Sequence, residues 1–247
     1  MSTTAILVDG AFFLKRYKSI YTKPEDQTPE AAARNLYTMC LSHLTEGRRD
    51  ARKSGRDGEQ KGFTREHQLY RIFYYDCEPL TKKHHYPISK KPVDFAKSET
   101  ATFRYAFFEC LKEQRKVALR MGHLSDISGW IIKPRVMKEL LAGRKEYASL
   151  IDEDFMLEVT QKTVDMKIGL DVASLTYKKF VDQIILVSGD SDFLPAAKLA
   201  RREGVDFILD PMHKPIPPDL SEHIDGKRST CPRPKHPNRQ PKLAIAE

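Results

Sequence analysis

Ile184-Ile185-Leu186-Val187-Ser188-Gly189-Asp190-Ser191-Asp192-Phe193 is the stretch that decides the fold. Four apolar, mostly β-branched residues run without alternation into a Ser-Gly break, which predicts a strand buried on both faces, as in a parallel sheet. A matching run, Ala5-Ile6-Leu7-Val8, stands at the other end of the chain and leads into Asp9-Gly10. Ligands of open α/β sheets bind off the carboxyl ends of the strands. Asp9, Asp190 and Asp192 are therefore expected to face one crevice.

Between these ends the pattern alternates strands with helices. Pro29 opens a helical stretch, Glu30 to Leu44, with Ala33, Leu36, Tyr37, Cys40 and Leu41 on one face. Leu69 to Tyr75 reads as a second strand, ending at Asp76. Ser98 is expected to cap a helix whose Phe103, Phe107 and Leu111 form a core stripe. Trp130-Ile131-Ile132 reads as strand three, Gln183 to Val187 as strand four and Val205 to Leu209 as strand five. Helices are expected near Val164 to Tyr177 and Phe193 to Arg202. This is the order of an α/β domain with a mainly parallel sheet of about five strands. Beyond Pro211 the density of proline argues against regular structure, although Leu220 to Ile224 is suited to dock.

The 247 residues fit one domain, residues 1–225, followed by a basic, Pro-rich, disordered tail, 226–247. The formal charge is +8, and the last 21 residues supply five of those charges, which suggests a polyanionic partner. Two basic insertions are expected, near 47–65 and 79–97. The second mixes Lys82, Lys83, Lys90 and Lys91 with Tyr86, a composition suited either to gripping a nucleic-acid strand or to a solvated excursion. The four cysteines are widely spaced, with no zinc-ligand pattern. His84 and His85 are adjacent, cannot face one way on a strand and are not expected to bind metal. No apolar stretch is long enough for a membrane span and no leader pattern opens the chain, so the expected location is cytoplasmic, with no membrane partner.

Four aspartates qualify for chemistry by position: Asp9, Asp190 and Asp192 at strand ends, and Asp165 where a helix start would face the same crevice. Clustered carboxylates repel, and burying them without counter-charge is costly. A hard dication, Mg2+ or Mn2+, removes that cost and can activate water for phosphodiester hydrolysis. Asp192 and Asp165 are equally suited to cap the helices next to them. Lys162 and Lys167 flank Asp165 and could hold phosphate or face solvent; Ser188 could orient a water or bond the backbone. Asp76 and Asp210 also end strands and rank as structural.

The segments Asp9-Gly10, Gln161-Lys162-Thr163-Val164-Asp165-Met166-Lys167-Ile168-Gly169-Leu170-Asp171 and Ile185 to Phe193 together resemble the NYN domain, in particular its LabA-like branch, a relative of PIN and flap nucleases. The resemblance implies a PIN-like three-layer α/β/α fold. It also implies that Asp9, Asp165, Asp190 and Asp192 hold Mg2+ or Mn2+ for RNA cleavage. Many members carry Asn soon after the first Asp-Gly, where this chain has Ala11-Phe12-Phe13. The leading expectation is a metal-dependent ribonuclease of the endonucleolytic kind, with RNA as partner; homo-oligomerisation and protein partners are left open. The alternative is a non-catalytic RNA-binding or regulatory module on the same fold. A haloacid-dehalogenase-type phosphatase would need a second Asp at Ala11, and dinucleotide binding would need more glycines than Gly10 after the first strand.

Overall fold

The computed structural model describes residues 2–45, 67–125 and 129–234. The basic insertion expected near 47–65 and most of the tail lie outside the described residues. In chain order the elements are β1 (Ser2–Asp9), α1 (Gly10–Ile20), α2 (Pro29–Ser42), β2 (His67–Cys77), β3 (Lys83–His85), β4 (Pro92–Asp94), α3 (Glu99–Lys112) and β5 (Val117–Leu124). They continue with β6 (Trp130–Ile132), α4 (Pro134–Leu141), β7 (Phe155–Leu157), β8 (Gln161–Lys162), α5 (Val164–Tyr177) and β9 (Gln183–Val187). The described chain closes with α6 (Leu194–Arg202), β10 (Asp206–Asp210), α7 (Pro218–Glu222) and β11 (Gly226–Lys227).

Seven strands form one sheet in the order β11-β10-β9-β1-β2-β5-β8, parallel throughout except for the short β5–β8 pair. The alternation of side chains along β1 feeds two cores. Ile6 and Val8 pack with Phe13, Tyr17, Leu36, Phe107 and Leu111, so α1, α2 and α3 cover one face. Ala5 and Leu7 pack with Ile168, Val172, Ala197 and Leu220, so α5, α6 and α7 cover the other. The result is the expected three-layer α/β/α arrangement. Both faces are covered, which is why the two quoted runs are apolar without alternation.

The strand order reverses at β1. From it the chain builds outward to β2 and β5 on one side, then returns to place β9 and β10 on the other. The gap between the ends of β1 and β9 is thus the topological switch point where ligands of such sheets collect. Val8 pairs with Val187, so Asp9 and Ser188 emerge side by side.

Three sequence expectations are corrected. Trp130–Ile132 is not in the main sheet; it pairs antiparallel with β7 in a separate ribbon. Trp130 packs on Tyr86 and Phe95, with ring centroids 5.4 and 6.2 Å away, and its Nε1 donates to the carbonyl of His85. Tyr86, placed in a segment suited either to gripping a strand or to a solvated excursion, is engaged in this local cluster, and residues 79–97 include the hairpin β3–β4 rather than a plain loop. The missing sheet strand is β5, which is only half-buried and whose short apolar run Val117-Ala118-Leu119 is broken by Arg120. Finally, the proline-rich stretch does hold regular structure. Leu220 of α7 is buried, and residues 226–227, assigned from the sequence to the tail, extend the sheet beside β10.

Candidate active site at the carboxyl ends of β1 and β9

Asp9 ends β1 and begins α1: its Oδ1 accepts the N–H of Phe12 at 3.1 Å, a side-chain cap on the helix. The sharp strand-to-helix turn depends on Gly10, where a Cβ would lie 2.6 Å from the Tyr74 ring and from the carbonyl oxygen of Tyr75. Across the switch point, the Ser188 hydroxyl donates to Asp9 Oδ2 at 3.4 Å and accepts the N–H of Asp190 at 3.3 Å. Asp190 in turn accepts the N–H of Asp192 at 3.1 Å, capping the one-turn 3-10 helix Ser191–Phe193. Asp165 sits in the first turn of α5, after Thr163 in the left-handed region at φ 69°.

The electrostatics tie these groups together. Burial pushes the Asp9 carboxyl up to about 6, against the opposing pull of the Phe12 hydrogen bond, and the Asp165 and Asp76 carboxylates raise it further. Burial also raises Asp165, with Asp190 and Asp192 adding to the effect. Neither Asp9 nor Asp165 forms an ion pair with a Lys or Arg among the described residues. Among the described residues the crevice therefore concentrates negative charge that no ion pair compensates.

All four predicted aspartates and Ser188 line this one edge, in two subsets. Asp9 is joined through Ser188 to the backbone of Asp190, whereas Asp165 interacts at longer range with Asp9, Asp190 and Asp192. Among the described residues no three His, Cys, Asp or Glu side chains converge closely enough to form a ready-made metal site. Mg2+ keeps several waters and takes few protein ligands. An all-oxygen set with unneutralised charge fits such a partly hydrated ion and does not fit a fully protein-enclosed one.

The capping expectations resolve differently from their statement. Asp190 is the side chain that caps, while Asp192 is exposed and α6 starts without a side-chain cap. Asp165 comes after the start of α5 and does not cap it. Lys167 donates to the carbonyl of Met121 at 2.6 Å, which commits one of its three N–H groups, whereas Lys162 is exposed on β8. The structural ranking of Asp76 and Asp210 agrees with their contacts. Asp76 is fully buried and accepts from Arg104, from the Tyr74 hydroxyl at 3.2 Å and from Cys77 N–H at 2.8 Å. Asp210 is fully buried against His43 Nε2 at 2.9 Å and Met212 N–H at 2.8 Å.

One residue at the lip was missed. A Cβ on Gly189 would lie 2.9 Å from the Phe12 ring and 3.4 Å from Cδ of Lys214. The exposed Lys214 thus lays its stem across Gly189, with its ammonium 5.8 Å from the Phe12 ring centroid. No carboxylate pairs with it among the described residues. It stands in the segment Met212-His213-Lys214-Pro215, whose first two residues have φ 46° and 61°, and no local sequence pattern marks it.

Residues 106–220 match the NYN domain family, a family of PIN-like nucleases. The matched span contains Asp165, Asp190 and Asp192 and begins after Asp9. An uncharacterized protein of Methanocaldococcus jannaschii is 30% identical over 81 residues, covering 33% of this chain and 34% of that protein's length. The crystal structure of a protein of unknown function from Vibrio parahaemolyticus aligns over 92% of this chain and 91% of that one, at 13% identity and a TM-score of 0.39. No helix among the described residues is long and apolar enough to cross a membrane.

Proposed function

We propose that the protein is a metal-dependent endoribonuclease of the LabA-like branch, working in the cytoplasm on RNA. The observation that carries this reading is the uncompensated negative charge of Asp9 and Asp165 at the switch point of the sheet. Asp9 and Asp165 would hold a Mg2+ or Mn2+ ion, with Asp190 and Asp192 completing its surroundings partly through water. Such an ion lowers the pKa of bound water and stabilises the oxyanions of phosphodiester hydrolysis. Ser188 fixes the orientation of Asp9, Asp192 orients the attacking water, and Lys214 takes a non-bridging phosphate oxygen at the lip. Lys162 is the remaining cation placed to meet the strand.

The test is incubation of the full chain with a mixed RNA pool and Mn2+, followed by sequencing of the new ends. Asp165→Asn and Asp190→Ala should each lower cleavage by at least about 100-fold, the loss expected when a metal-assisted step of several kcal/mol is removed. Unchanged cleavage in both would overturn the site. The absence of a three-ligand cluster among the described residues and the presence of Phe12 favour a second reading, a non-catalytic RNA-binding module. It predicts salt-sensitive RNA binding with no turnover under any divalent ion.

A further inference from the structure

A second concavity begins at Ala11, on the helix that Asp9 caps. It lies between α1 and α3 and encloses about 640 Å3, within the span of about 300–1,000 Å3 that small-molecule sites occupy. Ala11, Lys15 and Lys18 line it from α1, at spacings that keep them on one face. Glu99, Phe103 and Arg104 line it from α3. Ala11 is two residues beyond Asp9, and Arg104 holds Asp76 at the end of the strand beside β1, so the pocket opens directly next to the carboxylates.

Its chemistry is mixed in a particular way. Lys15 and Lys18 are both exposed, and neither pairs with a carboxylate among the described residues. Phe103 is half-buried, stacked on Phe107 at 6.2 Å and 15°, yet still contributes to the lining. Glu99 is an exposed acceptor in the first turn of α3. Two unpaired ammonium groups, an aromatic face and one carboxylate are the groups that meet a phosphate, a base ring and a base N–H.

We propose that this pocket is a subsite for one unpaired nucleotide of the RNA flanking the cleaved bond, an inference that rests on the nuclease reading above. The base lies against Phe103 and offers an N–H to Glu99, while Lys15 and Lys18 hold the adjoining phosphate. A duplex is excluded because its bases are already stacked and cannot reach the ring.

The test measures binding of a labelled, unstructured 12-nucleotide RNA to the full chain in EDTA, so that cleavage plays no part. Lys15→Ala/Lys18→Ala should weaken binding at least about tenfold and reduce the slope of log K against log salt by about 0.7, the value for one phosphate contact on a single strand. Phe103→Leu, which keeps most of the core volume, should weaken it about tenfold through lost stacking. Lys198→Ala, exposed on α6, should bind as the parent does. RNA carrying 4-thiouridine should photocrosslink to α1 or to the 99–104 segment, a readout that does not depend on any variant folding. Crosslinks confined elsewhere, or equal affinity for a duplex, would overturn the subsite. Mn2+-dependent cleavage with binding untouched by the pocket variants sinks the subsite alone. Pocket-dependent binding without cleavage sinks the nuclease reading alone, and failure of the parent protein to bind RNA sinks both.

Discussion

Three parallel strands of this sheet end in or next to an aspartate, and the protein treats the three carboxylates differently. Asp76 on β2 and Asp210 on β10 are fully buried, and each meets a basic side chain and at least one backbone N–H. Asp9 on β1 lies between them in the sheet and, among the described residues, receives the Phe12 N–H and a long bond from Ser188. Position in the fold is the same; the partners are not. Full satisfaction of a buried carboxylate makes it a structural strut. A carboxylate left with neighbouring negative charge and no ion pair among the described residues is a candidate for a functional role.

Removing one carboxylate of each kind puts the contrast under the greatest strain. Asp76→Ala strands Arg104 and is expected to cost about 3–5 kcal/mol, the usual penalty for breaking a buried pair. Asp9→Asn should raise metal-free stability at neutral pH by up to about 1–2 kcal/mol while abolishing cleavage, because it removes repulsion along with the charge. Urea unfolding of both variants checks the pair, and equal losses would erase the distinction. Gly10→Ala comes next: the added methyl meets the backbone oxygen of Tyr75, which cannot swing aside, at an expected cost of about 1–3 kcal/mol.

A smaller effect concerns pH. Asp9 titrates at about 6 in the folded chain, above its ordinary value of 3.8, so the folded state binds more protons between those limits. The Asp9 contribution to metal-free stability should therefore be greatest below about 4 and fall by about 1–2 kcal/mol as pH rises through about 6, after allowing for partial solvent exposure. Thermal melts across this range should show the decline in the parent protein, and Asp9→Asn should flatten that part of the profile. Mn2+ should reverse the decline and release protons as it binds. Smallest is the effect of Lys214→Ala, expected to leave stability within about 0.5 kcal/mol, as surface substitutions do. Cleavage should fall about tenfold, the equivalent of about 1.4 kcal/mol in the transition state; an undiminished rate would remove Lys214 from the site.

Much of the site was legible because strand ends are local. The runs Ala5 to Val8 and Ile184 to Val187 announce buried strands, and the residues directly after two adjacent parallel strands must emerge at the same edge. Local pattern and tertiary role part company elsewhere. Trp130-Ile131-Ile132 looks more like a strand of the central sheet than Val117 to Leu124 does, yet the aromatic contacts to Tyr86 and Phe95 hold it in a side ribbon. Asp192 resembles a cap as strongly as Asp190, and only the turn geometry of Ser191–Phe193 selects between them.

The amino-acid order alone determined that this chain alternates strands with helices and that acidic residues come directly after its two most apolar strands, since both properties depend on spacing within a few residues. Only the tertiary structure decided which carboxylates gain a basic side-chain partner and which do not. Arg104 reaches Asp76 from 28 positions away and His43 reaches Asp210 from 167. Lys214, remote in sequence from Phe12, arrives at the lip of the crevice by way of the chain's return past β10. Charge compensation acts through space over a few ångströms, and no pattern along the chain encodes which distant side chain will close that gap.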